Sequence, residues 1–348
     1  MATLTGGWIG FLSLAIIAFI NLAKADVPAF FIFGDSTADV GTNNNLQDCG
    51  AKANYPYNGI DYPYSTPTGR FSNGYNSADL IVRQLGNFKI SPPPFLSLLE
   101  RMPTFKRNIL RGVNFASGGS GIFKETGRIR FVSFSLSDKG GPKVLGPAEA
   151  DHLISNFIYI ISVGSNDIIE IPFGTPTQKF INKIHFAYAN HLKNLYKLGA
   201  RKFGIISVPP IGCCPAVRVY NSSGGCVDPV NAIARAFYKA SDALLQHFSS
   251  EFKGVKYSLA NAYHMTMSII DNPIANGFKD VKTACCGNGT VACKEGSNLC
   301  ANRNDYLFWD WFHPTQAASE LAALTLAFAE GPEFVKPMNF SQLARVVV

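Results

Sequence analysis

Four short apolar runs punctuate the chain, at residues 29–33, 157–163, 203–208 and 255–259. The first three are almost free of polar residues, the mark of strands buried on both faces. Between the runs the apolar period lengthens. Phe180, Ile184, Tyr188, His191/Leu192 and Leu195 recur at helical spacing, and Ile233, Phe237, Ala240, Leu244 and Phe248 do so again. Residues 315–328 form an Ala/Leu-rich helix ending near Gly331. Strand, helix and strand repeated in this way predict right-handed crossovers and one parallel sheet covered by helices on both faces. No linker, composition shift or internal repeat divides the pattern, so a single domain is expected although 348 residues could make two. Residues 41–75 differ: Asn43-Asn44-Asn45 is followed by Asn, Tyr, Pro and Gly in quick succession. That is turn chemistry, a long loop after the first strand, and loops at the carboxyl ends of parallel strands carry the sites of α/β proteins.

Ahead of this pattern, residues 8–20 are apolar apart from Gly10 and Ser13, and Ala23-Lys24-Ala25 follows with small residues at both cleavage positions. The run is shorter than the ~20 residues that span a bilayer, so residues 1–25 are expected to be a secretory leader. The mature domain is then 26–348, with no integral membrane segment, secreted to the extracellular space. The 31 Lys and Arg against 24 Asp and Glu give +7, or +6 once Lys24 is lost. So small and scattered an excess excludes a nucleic-acid footprint, while 47% hydrophobic residues and 27 Phe exclude disorder. Eight cysteines (Cys49, Cys213, Cys214, Cys226, Cys285, Cys286, Cys293 and Cys300) suit an oxidising compartment. Their adjacent pairs lack the C-x₂-C spacing or neighbouring His of a zinc site, so disulfides are expected, with the connectivity open. Asn221, Asn288 and Asn339 begin glycosylation sequons.

The first apolar run leads into Gly34-Asp35-Ser36, which sets a serine hydroxyl at the strand's carboxyl edge. Alone, the tripeptide reads as a helix cap; as a nucleophile, the serine needs a base, and the base an orienting group. Asp310-Trp311-Phe312-His313-Pro314 offers both. Pro314 suits the first turn of the following helix, which puts His313 just ahead of it and Asp310 within reach of Nδ1. His185, His191 and His247 lie in helix patterns, and His152 and His264 lack such a setting. The glycine-rich turn 112–121 could bring backbone N–H groups close to a ligand oxygen, and Gly164-Ser165-Asn166-Asp167 puts the Asn166 amide at the same sheet edge as Ser36. An amide and a backbone N–H converging beside a serine make an oxyanion hole.

Together and in this order, Gly34-Asp35-Ser36, the Gly/Asn block at 112–121, Gly164-x-Asn166-Asp167 and Asp310-x-x-His313 resemble the GDSL esterase/lipase family of the SGNH hydrolase superfamily. Asp39 with Asn43–Asn45, Pro209-Pro210-Ile211-Gly212-Cys213, Cys285-Cys286-Gly287 and Phe308-Trp309-Asp310 look like its plant branch, for which secretion means the cell wall. The resemblance implies a three-layer α/β/α sandwich around a flavodoxin-like parallel sheet. It implies Ser36 as nucleophile, His313 as base and Asp310 as its orienter. It also implies that the N–H groups of Ser36 and Gly119, or of Gly118 if the glycine run aligns one residue earlier, hold the oxyanion with Asn166. Thr37 departs from the leucine of the family name and is expected to affect packing more than catalysis.

The expected activity is hydrolysis of lipid or other acyl esters through an acyl-enzyme, complete without cofactor or metal. Two rivals keep the fold: an acyltransferase using the same triad, and a non-catalytic lipid- or glycan-binding protein. Other designs fit less well. No G-x-S-x-G elbow or H-E-x-x-H occurs, and the S-x-x-K at Ser250–Lys253 lacks its S-D-N and K-T-G partners.

Overall fold

The computed structural model describes residues 29–86, 88–99, 111–127, 154–172 and 174–348. The leader expected at 1–25 lies outside the described residues. In chain order the strands are β1 (Phe30–Gly34), β2 (Val113–Asn114), β3 (Ile158–Ser162), β4 (Lys202–Ile206), β5 (Lys256–Ala260), β6 (Asp280–Ala284), β7 (Tyr306–Phe308) and β8 (Val335–Lys336). The principal helices are α1 (Ser77–Leu85), α2 (Ser165–Ile169), α3 (Thr177–Lys197), α4 (Asp228–Glu251), α5 (Ala262–Asp271), α6 (Gln316–Phe328) and α7 (Phe340–Arg345).

Six strands form the main sheet in the order β2-β1-β3-β4-β5-β8. The first five are parallel and in the flavodoxin-like order. The edge strand β8 runs antiparallel to β5, so the sheet is not wholly parallel as the apolar runs predict. Alternation along the strands sends side chains to two cores. Phe33, Tyr159, Ile161, Phe203 and Ile205 meet α3 and α4 on one face. Phe30, Ile32, Ile158 and Ile160 meet α1, α6 and α7 on the other, giving the three-layer α/β/α sandwich. At the end of β1 a Cβ on Gly34 would lie 2.7 Å from Ser162 O, so a side chain there would push β1 off β3.

The buried stripe of α4 is Asn231, Ala234, Phe237, Ser241, Leu245 and Phe248, which shares only two members with the stripe read from sequence. Ile233, Ala240 and Leu244 sit at its border, half-buried. The stripe is displaced because two polar members are satisfied inside: Asn231 Oδ1 accepts from Gly212 N–H at 2.8 Å, and Ser241 Oγ lies 3.0 Å from His185 Nε2.

Disulfides join Cys213 to Cys226, Cys285 to Cys300 and Cys286 to Cys293. Cys49 and Cys214 remain buried thiols, so disulfide chemistry takes six of the eight cysteines. The last two bridges fasten a small parallel sheet of β6 and β7, where Cys285 N–H donates to Phe308 O (3.0 Å) and Cys286 N–H to Trp309 O (2.7 Å). Trp309 is fully buried against this knot, and its indole N–H donates to Asn58 Oδ1 at 3.0 Å. The knot thereby holds the segment that continues into residues 310–313.

Candidate active site

Ser36 sits in the turn that follows β1, and Asn166 is the second residue of α2, just after β3. Both therefore lie at the point where strand order reverses between β1 and β3, the place where open α/β sheets bind ligands. Far along the chain, the turn after β7 brings in Asp310 and His313. Asp310 Oδ1 accepts the N–H groups of Phe312 (3.0 Å) and His313 (2.8 Å), which fixes the carboxylate. His313 Nδ1 lies 2.8 Å from each Asp310 oxygen, and His313 Nε2 lies 2.8 Å from Ser36 Oγ. The imidazole is packed against the Phe71 ring at 4.9 Å and is nearly buried, while the serine is half-exposed. Pro314 stands outside the helix, which begins at Gln316 with Thr315 as its cap, so the proline pairs with Phe308 instead of opening the first turn.

The glycine-rich segment is partly strand. Val113 and Asn114 pair with β1 as β2, and the turn follows at 117–120. Ser117 N–H and Ser120 Oγ both donate to Gly34 O (3.0 and 2.8 Å), which fastens the turn to the end of β1. Gly118 N–H donates to Asp39 Oδ2 at 2.9 Å, whereas Gly119 N–H has no acceptor among the described residues. Gly119 has φ +89°, a conformation that favours glycine, and it lines the cleft with Ser36 and Asn166. Asn166 Nδ2 donates one proton to Ser120 O at 2.9 Å, and an amide carries a second. The cleft has a volume of about 550 Å³ and also touches Tyr55, Phe71 and Asp310.

Several further residues support the site. Asp39 is fully buried and accepts N–H bonds from Gly41 (2.8 Å), Thr42 (2.7 Å) and Gly118. Burial pushes its carboxyl up to about 6, against those bonds, which pull it down. Asn43 holds the turn from the other side, taking the Ser117 hydroxyl at 2.6 Å and donating to Gly118 O at 2.9 Å. The Asp167 carboxylate collects Ile122 N–H, Phe123 N–H and the Thr126 hydroxyl, and burial raises its pKa against them. Thr37 does more than pack: its N–H and hydroxyl both bond Asp35 Oδ1 (3.0 and 2.8 Å). Burial raises the Asp35 carboxyl, opposed by those bonds and by His313. Burial, reinforced by the Asp310 charge, pushes the Cys214 thiol up to about 12, which leaves it an inert wall residue. Asp35, Thr37, Asp39, Asn43 and Asp167 all fall in or beside the motifs read from sequence, but which N–H and hydroxyl groups each one holds is visible only in the fold.

The sequons occupy three settings. Asn288 is exposed. Asn221 Nδ2 donates to Cys226 O at 3.1 Å, and Asn339 caps α7 while its Nδ2 donates to Ala329 O at 3.3 Å. Among the described residues no cluster of three or more His, Cys, Asp or Glu could hold a metal ion, and no helix is long and apolar enough to cross a membrane.

The profile of the family described as GDSL-like Lipase/Acylhydrolase matches residues 30–326. GDSL esterase/lipase At5g37690 of Arabidopsis thaliana is 36% identical over 313 residues, 84% of this chain and 86% of that protein. From the same plant, GDSL esterase/lipase At5g45670 is 37% identical over 357 residues, 94% of this chain and 96% of the relative. GDSL esterase/lipase At4g18970 is 35% identical over 363 residues, 96% and 98% of the two chains.

Proposed function

The chain belongs to the GDSL-like lipase/acylhydrolase family and is a serine hydrolase of ester bonds, and from that premise we propose that Ser36, His313 and Asp310 carry acyl transfer through a covalent intermediate. Ser36 Oγ attacks the ester carbonyl while its proton passes to His313 Nε2. The carbonyl electron pair moves onto oxygen, facing the N–H groups of Ser36 and Gly119 and the second proton of Asn166 Nδ2. Collapse breaks the ester C–O bond, and the departing alcohol takes the proton from Nε2. Water repeats the sequence, its proton going to His313 and back to Ser36 Oγ as the acid leaves. Asp310 accepts from Nδ1–H and stabilises the imidazolium without itself taking the proton.

The observation that carries this reading is the relay of 2.8 Å contacts from Asp310 through His313 to Ser36. Engagement of the Gly118 N–H by Asp39 supports Gly119 over Gly118 as the backbone donor. Three disulfides support export to an oxidising compartment, and exposure of Asn288 favours it as a glycan acceptor over the two sequons whose amides are bonded inside. A fluorophosphonate probe should label wild-type protein at Ser36, and Ser36→Ala should abolish both labelling and ester turnover. Full turnover in Ser36→Ala would refute the assignment.

A further inference from the structure

The positive excess of the chain is small, yet the fold gathers part of it at one place. Helix α3 carries four Lys and no Asp or Glu, and its carboxyl end leads through Arg201 into β4. Helix α4 ends just ahead of Lys253, and Lys256 opens β5. Lys193, Lys197, Arg201, Lys253 and Lys256 therefore meet at the amino edge of the parallel strands, the edge opposite Ser36. Tyr196 and Phe252 tie them together. The two rings lie 4.9 Å apart, with the Arg201 guanidinium 3.9 Å over Tyr196 and Lys193 Nζ 5.6 Å over Phe252. The Tyr196 hydroxyl donates to Lys253 O at 3.2 Å, and Lys256 N–H donates to Arg201 O at 2.8 Å.

Among the described residues no Asp or Glu forms an ion pair with any of these cations. Glu251, close by in sequence, lies 3.3 Å from His247 Nε2 instead. Lys197, Lys253 and Lys256 are exposed, and Lys193 and Arg201 are half-buried. A ring beneath a cation holds it in place and leaves its charge to act outward. Helix ends use part of the cluster. Arg201 Nη1 donates to Tyr196 O and Ala200 O, both at 2.9 Å, and Lys193 and Lys197 complement the dipole of α3. Lys256, already inside β5, serves no helix end, and the cluster holds more positive charge than capping uses.

We propose that this patch binds an acidic polysaccharide through its uronate carboxylates and so retains the protein on the polymer. Charge complementarity selects an anion. The patch offers cations in place of an apolar face: Tyr196 and Phe252 each have a cation over one side, and Leu198 is the only exposed large apolar residue in 193–201 and 252–256. One leucine falls short of the apolar area that binding in a bilayer interface buries. A bilayer docked at this edge would also leave the Ser36 cleft turned away from its lipids. A polymer held there leaves the cleft open, and the export proposed above brings the patch to extracellular glycans, not to nucleic acid.

The test is retention of the full chain on polygalacturonate beads, with neutral dextran beads and phosphatidylserine-containing vesicles as parallel arms. Wild type should bind the polygalacturonate and neither of the others. It should be released by about 0.5 M NaCl, where the screening length is about 4 Å. Lys197→Glu/Lys256→Glu should raise Kd by about tenfold or more, since two exposed charge contacts are lost and two reversed. Lys193→Gln/Lys253→Gln, expected to cost about threefold or more, replaces that pair if it loses its melting transition. Lys282→Glu/Lys294→Glu makes the same change in net charge on the disulfide-fastened sheet and should bind like wild type. Failure of the wild type to bind, equal weakening by the Lys282/Lys294 pair, or a preference for the vesicles over the polymer overturns the proposal. Binding is read without turnover, so the fate of the Ser36 assignment does not alter the result.

Discussion

Replacing Asp310 by Asn tests the relay at the point where the structure constrains it most. Asp310 Oδ1 is committed to the backbone N–H groups of Phe312 and His313. An asparagine keeps those two bonds only by placing its carbonyl oxygen there. Its NH₂ then takes the place of Oδ2, the atom 2.8 Å from His313 Nδ1. A donor at that position requires Nδ1 to be the acceptor, so the ring proton moves to Nε2 and faces Ser36 Oγ. The base is then the wrong tautomer with the geometry unchanged, and the same exchange in a Ser-His-Asp enzyme costs about 10⁴ in kcat. That is about 5.5 kcal/mol of transition-state stabilisation. Because the two backbone bonds survive, the melting temperature should stay near wild type. Steady-state kinetics on a short-chain ester should show the fall in kcat, and fluorophosphonate labelling of Ser36 should slow in parallel. Asp310→Asn activity within tenfold of wild type, in folded protein, would refute the tautomer argument and the role given to Asp310.

Asn166→Ala should lose about 10²–10³ in kcat, the cost of one oxyanion donor, in protein that still unfolds cooperatively; a change confined to KM would assign Asn166 to substrate binding instead. Arg70 pairs with Asp79 through contacts of 2.6 and 2.8 Å in a buried bridge. Arg70→Ala should cost about 3 kcal/mol, the low end for a buried charge left unpaired, because Asp79 retains the N–H groups of Asn76 and Ser91; urea unfolding measures it, and a loss below 1 kcal/mol would count against the bridge. The Asp39 carboxyl, held at about 6 in the folded chain against 3.8 ordinarily, binds its proton in the native state where the unfolded chain has released it. Its contribution to stability is full below pH ~4 and declines by about 3 kcal/mol as pH rises through 6. The wild-type urea midpoint should therefore fall relative to that of Asp39→Asn over this interval, and parallel midpoints would contradict the burial argument.

The central strands are legible because they are buried on both faces: β1, β3, β4 and β5 each fall within or one residue beside the apolar runs. Strands β2 and β8 are not, because two residues carry no periodicity and become strand only by pairing with β1 and β5. Helix α1 does carry a signal, a capping box between Asn76 and Asp79, which the turn-rich context of 41–75 obscures. At the site, Ser36, Asn166, Asp310 and His313 stand out because each sits in a short local pattern. Asp39 and Asn43 act across 74 to 79 residues of sequence on Ser117 and Gly118, a relation no local pattern records. The cysteine count likewise says nothing of Cys49 and Cys214, whose burial as thiols is decided by packing.

The separation of 277 positions between Ser36 and His313 has a consequence for a chain made from one end. The loop after β1 is joined to the late segment by Arg303 on Asp61 (2.5 and 2.7 Å), Trp309 on Asn58 and Gln316 on Asn73 (2.8 Å). The serine is synthesised early, and its base arrives only after the whole sheet up to β5 and the disulfide knot. Domains begin to fold during synthesis, yet on the proposed relay every intermediate that lacks residues 310–313 holds Ser36 without its base. On that proposal premature termination yields an inert product, and the appearance of esterase activity marks completion of the chain's longest-range contacts.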